Sequence, residues 1–143
     1  MSLQKSLVLD ANILLRAVFG TRVVHLLASY RETVAFYAPD RCMEEAARNL
    51  RAIAQRRSLD LNQAAADLNR IVECFVNLVD RSLYEEFEDR ARARIASRDP
   101  DDWPVVATAL LIDAPIWTED QDFFGTGMAT WTSNKIELYL RDP

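Results

Sequence analysis

Five short apolar runs, interspersed with stretches long enough for helices, constrain this chain more than anything else in it. Ser6-Leu-Val-Leu9, Val34-Ala-Phe-Tyr-Ala38, Asn77-Leu-Val79, Pro115-Ile-Trp-Thr118 and Ala129-Thr-Trp-Thr132 are continuous rather than alternating, the signature of strands buried on both faces. The intervening stretches at 11–18, 21–31, 41–57, 60–76, 82–97 and 102–113, with a last short one near 134–141, read as helices. Strands that alternate with helices predict an α/β chain with a parallel sheet covered on both faces. Positions 43, 46, 47, 50, 53 and 54 fall on one face at ~100° per residue. Leu83, Phe87, Ala91 and Ile95 repeat every four residues, and both faces are expected to meet the core.

A length of 143 residues suits one compact domain spanning 1–143, and no repeat, linker or low-complexity tract divides it. Met1 to Lys5 lack the order of a secretory signal, and no apolar run reaches the ~20 residues that span a bilayer, so a soluble, cytoplasmic protein with no membrane contact is expected. Cys42 and Cys74 lie in helical stretches and are read as small core residues rather than a disulfide or a zinc site. The formal charge of −5 runs against nucleic-acid binding, yet 15 of the 17 basic residues are Arg. They group at Arg48, Arg51, Arg56, Arg57 and at Arg90, Arg92, Arg94, Arg98, where they serve either phosphate contact or solvated faces paired with Glu85, Glu86 and Glu88.

Function is written in where the acids fall, because ligands of open α/β sheets lie beyond the carboxyl ends of the strands. Asp10 ends the first run, Asp120 follows Ile116-Trp-Thr118 with Asp122 two further on, and Asp99, Asp101 and Asp102 crowd a helix start. Glu44 and Glu45 occupy the first turns of the helix after the second run. Each has a plain structural use: Asp10 and Asp102 as N-caps, the glutamates as charges near a helix N-terminus, Asp120 and Asp122 as turn formers. Together they point elsewhere, since packed carboxylates repel one another unless a cation relieves them. Mg²⁺ or Mn²⁺ suits such a set of oxygen ligands.

Other chemistries lack their residues. His25 is the only histidine, so a His-based acid/base pair or zinc site is excluded, and His25 itself is read as structural. Gly20, Gly125 and Gly127 form neither a P-loop nor a dinucleotide fingerprint. An aspartyl phosphatase wants a second Asp two residues after the first, where Asn12 stands, and a phospho-acceptor receiver domain wants a Lys beside its pocket, whereas Lys5 and Lys135 are the only lysines.

Four segments, in order, resemble the motifs of the PIN-domain family, and of its VapC-like toxin branch. Leu7-Val-Leu-Asp10-Ala-Asn12 is similar to the first, Pro39-Asp-Arg-Cys-Met-Glu44-Glu45-Ala46 to the second, Arg98-Asp-Pro-Asp-Asp102-Trp103 to the third, and Ile116-Trp-Thr118-Glu-Asp120-Gln-Asp122 to the fourth. The resemblance runs from about Leu7 to Leu140 and implies a three-layer α/β/α sandwich with a mostly parallel sheet. It also implies a Mg²⁺- or Mn²⁺-dependent endoribonuclease, frequently a homodimer, inhibited by a small antitoxin protein. Carried over by position, Asp10, Glu45, Asp102 and Asp120 become metal ligands and catalytic carboxylates, Asn12 orients Asp10, and Thr118 positions Asp120. Helical phase does not choose between Glu44 and Glu45; the resemblance prefers Glu45, followed five residues later by Leu50, and leaves Asp122 as a replacement or supplement for Asp120. Trp103 either stacks a base or anchors the helix start. The alternative function is a PIN-like module that binds RNA or protein without cutting.

Overall fold

The computed structural model describes residues 4–95, 99–120 and 123–141. The strands are β1 (Lys5–Leu9), β2 (Val34–Pro39), β3 (Val76–Val79), β4 (Ile116–Trp117) and β5 (Thr130–Trp131), and they form one sheet in the order β3-β2-β1-β4-β5. Every pairing is parallel: Leu7 lies opposite Phe36, Val8 opposite Ile116, and Ile116 opposite Thr130. Leu7, Val8 and Leu9 are wholly buried, as the continuous apolar run requires of a central strand covered on both sides.

The helices are α1 (Ala11–Phe19), α2 (Arg22–Tyr30), α3 (Asp40–Arg56), α4 (Leu61–Phe75), α5 (Arg81–Tyr84), α6 (Glu88–Arg94), α7 (Trp103–Ile112) and α8 (Ile136–Arg141). α7 lies against β1, β2 and β4 and carries α5 and α6 on its outer side, while α1 packs with α2, α3 and α4. The result is the expected three-layer α/β/α sandwich. α7 is apolar almost all round, which suits a helix whose residues Trp103 to Ala109 are all buried. No single helix among the described residues is long and apolar enough to cross a membrane.

Several local expectations change. The stretch 82–97 is no continuous helix: a 3₁₀ turn, Glu85–Phe87, separates α5 from α6, and 96–98 lie outside the described residues. A 3₁₀ turn holds three residues rather than 3.6, so it rotates the helix face. Ala91 and Ile95 are buried as the four-residue series predicts, but Leu83 is 57 % exposed and Tyr84 takes the inner place. The Tyr84 hydroxyl donates to Asp40 Oδ1 at 2.7 Å and its ring packs edge-on against Trp103. On α3 the buried series is Cys42, Ala46, Leu50 and Ala54, which leaves Ala47 exposed at the margin of the face assigned to it. Cys74 is exposed, not a core residue, because it falls outside the arc set by Ala64, Leu68, Ile71 and Val72. His25 is also exposed, on the outer side of α2 from Val23, Leu26 and Leu27.

Candidate functional site

β1, β2 and β4 are neighbours that all point the same way, so the segments leaving their carboxyl ends meet at one edge. Asp10 leaves β1 and begins α1, Glu45 rides on the second turn of α3 after β2, and Thr118 to Asp120 follow β4. Asp102 arrives from outside the sheet, at the start of α7. Three helix N-termini therefore open toward this edge, and their positive ends favour anionic groups there.

Asp10 is buried and fully engaged. Its Oδ1 accepts from the Asn12 amide at 2.7 Å, and its Oδ2 accepts from the Thr118 hydroxyl. The same hydroxyl accepts from the Asp120 amide at 2.9 Å, so one oxygen ties the ends of β1 and β4 together. Asp10 is thus both the N-cap of α1 and part of the acidic edge. Burial raises its pKa to about 6, against the lowering effect of the Thr118 and Asn12 hydrogen bonds, and the charges of Asp120 and Glu45 add to the rise.

Asp102 gives its helix no side-chain cap; Asp99 caps the preceding 3₁₀ turn, Pro100–Asp102, by accepting from the Asp101 amide at 3.0 Å. Burial first, then the charges of Asp99, Asp10, Asp120 and Glu45, push the Asp102 carboxyl up to about 8. Its Oδ2 is buried without a hydrogen-bond partner among the described residues, as is the side-chain Oδ1 of Asn12. Native structures rarely leave such atoms bare, and a bound ion with its water shell is one way to satisfy them. The Cys42 thiol, buried between these acids, is pushed up by desolvation and by the charges of Asp10, Glu45 and Asp102.

The residues singled out in the sequence thus divide. Glu45 and Asp120 each act electrostatically on both Asp10 and Asp102, and Asp10 acts on Asp102. Glu44 is exposed and contributes to neither Asp10 nor Asp102, whereas Glu45 is half-buried and acts on both. Asn12 holds Asp10 through its backbone amide, and Asp122 lies outside the described residues. Trp103 is 4 % exposed, with the guanidinium groups of Arg81 and Arg92 over its ring at 5.5 and 5.3 Å, so it anchors the helix start and offers no free face to a base. Glu119 was missed: its Oε1 accepts from the Ser133 amide at 2.6 Å and pins the loop after β4 to the chain beyond β5. An acid beside a turn carries no signal in sequence that distinguishes a brace from a ligand.

Among the described residues no group of three or more His, Cys, Asp or Glu side chains stands ready to enclose an ion. The donor set, the two bare oxygens and the mutual repulsion of the acids nonetheless fit Mg²⁺ or Mn²⁺.

A family model described as "PIN domain" matches residues 8–141. A search of curated proteins finds no match. Among solved structures, PAE2754 from Pyrobaculum aerophilum is similar at a TM-score of 0.71 and 18 % identity, covering 96 % of this chain and 90 % of that one. VapBC2 from Rickettsia felis, bound to a DNA fragment from its promoter, gives a TM-score of 0.69 at 12 % identity and covers 89 % and 98 %. A toxin–antitoxin complex from Klebsiella pneumoniae gives 0.58 at 18 %, covering 88 % and 96 %.

Proposed function

Since the chain belongs to the PIN-domain family, we propose that it is a divalent-metal-dependent endoribonuclease and the toxin of a toxin–antitoxin pair. The observation that carries this reading is the acidic edge itself, where burial first, and then the charges of neighbouring acids, raise the pKa of Asp10 and Asp102. The toxin–antitoxin complexes among the structural neighbours support the assignment of the partner.

Asp10, Asp102, Asp120 and Glu45 would hold Mg²⁺ or Mn²⁺. When bound, such an ion lowers the pKa of a water and neutralises charge on a phosphoryl group. The protein's own contribution is positional. Thr118 keeps Asp10 and the Asp120 backbone in fixed relation, the Asn12 amide holds the other Asp10 oxygen, and Glu119 fixes the loop that carries Asp120. The high pKa of Asp102 makes it the carboxyl most ready to carry a proton while no cation is bound. The antitoxin would be a small protein whose Arg or Lys side chains pair with the same carboxylates, and the proposal includes a homodimer acting in the cytoplasm.

The test is cleavage of single-stranded RNA by the purified chain with saturating Mg²⁺ or Mn²⁺. Asp10→Asn is expected to abolish turnover, by at least ~10²-fold, without loss of fold. Cleavage at the parent rate by this variant would remove Asp10 from the mechanism.

A further inference from the structure

Away from the acids, a cavity of about 530 Å³ opens at the corner between α1 and α2, and three of its lining residues are Arg16, Arg22 and Arg57. The size is that of a ligand site. Sequence grouping hides the cluster, because the three arginines come from the last turn of α1, the first of α2 and the end of α3. Two are held in place. The Arg57 guanidinium lies over the Phe19 ring at 5.7 Å, and Arg22 is braced by Glu137 at 3.5 Å and by the Ser133 carbonyl at 3.4 Å. Neither Arg16 nor Arg57 has a carboxylate within ion-pair distance among the described residues. Like charges gathered in one recess, with one acid for three, are best relieved by an anion.

The cavity is joined to the acidic edge on two sides. α1 runs from Asp10 to it, a path of about 14 Å at ~1.5 Å per residue. Ser133, on its wall, is the residue that Glu119 grips beside Asp120. We propose that this cavity is a phosphate subsite for the single-stranded RNA whose scissile bond lies at the acidic edge. Arg16 and Arg22 contact a flanking phosphodiester there, and the flat Arg57 guanidinium, backed by Phe19, gives a base a face to stack on. An acidic protein segment could meet the same charges but has no use for that stacking platform. The inference rests on the ribonuclease reading and adds the place where the strand is held.

The test is binding of a fluorescent single-stranded oligouridine to the full chain in EDTA, read by anisotropy over a salt series. Arg16→Gln/Arg57→Gln is expected to weaken binding by about tenfold or more and to flatten the slope of log K against log salt by about 0.7, the one phosphate contact that Arg16 makes, the rest of the loss being the stacking face of Arg57. Arg31→Gln/Arg70→Gln, which removes equal charge elsewhere on the surface, is expected to change Kd by no more than about twofold. In the parent, thiouridine-substituted RNA is expected to photo-crosslink to the peptide bearing Phe19, a readout that needs no variant. If the parent binds RNA and the cavity variant matches it in Kd and slope, the subsite falls while the ribonuclease reading stands. If the parent binds no RNA at all in EDTA, the subsite falls, and the ribonuclease reading is judged separately by cleavage with saturating Mg²⁺ or Mn²⁺. A variant that keeps RNA affinity but loses its operon-encoded neighbour assigns the cavity to an acidic protein segment and overturns the proposal.

Discussion

At the scale of single residues, the acidic edge is held together by groups that oppose one another. Asp10 is buried as an acid that would rather be neutral, with its folded pKa raised to about 6 against ~3.9 unfolded. A raised acid favours the native state fully below pH ~4 and loses that favour as the pH climbs through 6; Asp102, raised to about 8, prolongs the loss. Metal-free protein should therefore become less stable from pH 4 to pH 8. Asp10→Asn should stabilise it by up to about 3 kcal/mol at pH 8 and by almost nothing near pH 4, as denaturant unfolding in EDTA would measure. A gain that does not vary with pH would show that burial of charge is not its source. Thr118 acts in the opposite sense, because its wholly buried hydroxyl serves both Asp10 and the Asp120 amide. Thr118→Val should cost about 1–3 kcal/mol and slow cleavage, whereas Thr118→Ser keeps the hydroxyl and should recover most of both.

At the scale of elements, the loop between β4 and β5 depends on a helix distant in sequence. Arg94, at the end of α6, donates from Nη1 to the Thr126 carbonyl at 2.9 Å, and Gly127 follows with φ +84°. A Cβ on Gly127 would stand 2.3 Å from that same Nη1, so Gly127→Ala must both adopt a left-handed backbone and expel the guanidinium. A loss of about 1–2 kcal/mol is expected, and Arg94→Gln alone should lose less, since it removes the bond without the strain. Nothing in the sequence near Gly127 announces this contact. What was legible there was of another kind. The continuous runs at 6–9 and 34–38 mark strands buried on both faces, and burial on two sides leaves no other pattern. The break in 82–97 was not legible, because the four-residue series at Leu83, Phe87, Ala91 and Ile95 is a valid helical face; packing of Tyr84 between Asp40 and Trp103 overrides it. At the acidic edge Asp10 and Asp120 could be placed from strand ends, Glu45 and Asp102 only from helix starts, and Glu45 was preferred to Glu44 on the family resemblance because helical phase alone does not separate them.

Over the whole molecule, net charge and local charge say different things. The chain carries −5 overall, yet acids and arginines are sorted into an edge of one sign and a cavity of the other, separated by the length of α1. A cation held at the acidic edge, as proposed, would bind the folded state alone, so Mn²⁺ or Mg²⁺ should raise the melting temperature by mass action, by the equivalent of ~2.7 kcal/mol at a hundred times Kd. The doubly substituted Asp102→Asn/Glu45→Gln should respond much less. An unchanged melting curve for the parent at millimolar Mn²⁺ would count against a cation at this edge.

The sheet order has a temporal meaning as well. With every pairing parallel there is no hairpin in the sheet, and β1 at its centre waits for a partner more than a hundred residues away, Val8 meeting Ile116. Non-local pairings of this kind form late and slowly. During synthesis the ribosome releases Asp10 first, then Glu45, then Asp102, and only with Thr118 and Asp120 does the hydroxyl that joins them arrive. A nascent chain halted anywhere before that point holds most of the acids and none of their arrangement. The nuclease activity proposed above would thus stay silent on the ribosome until Asp120 has been translated.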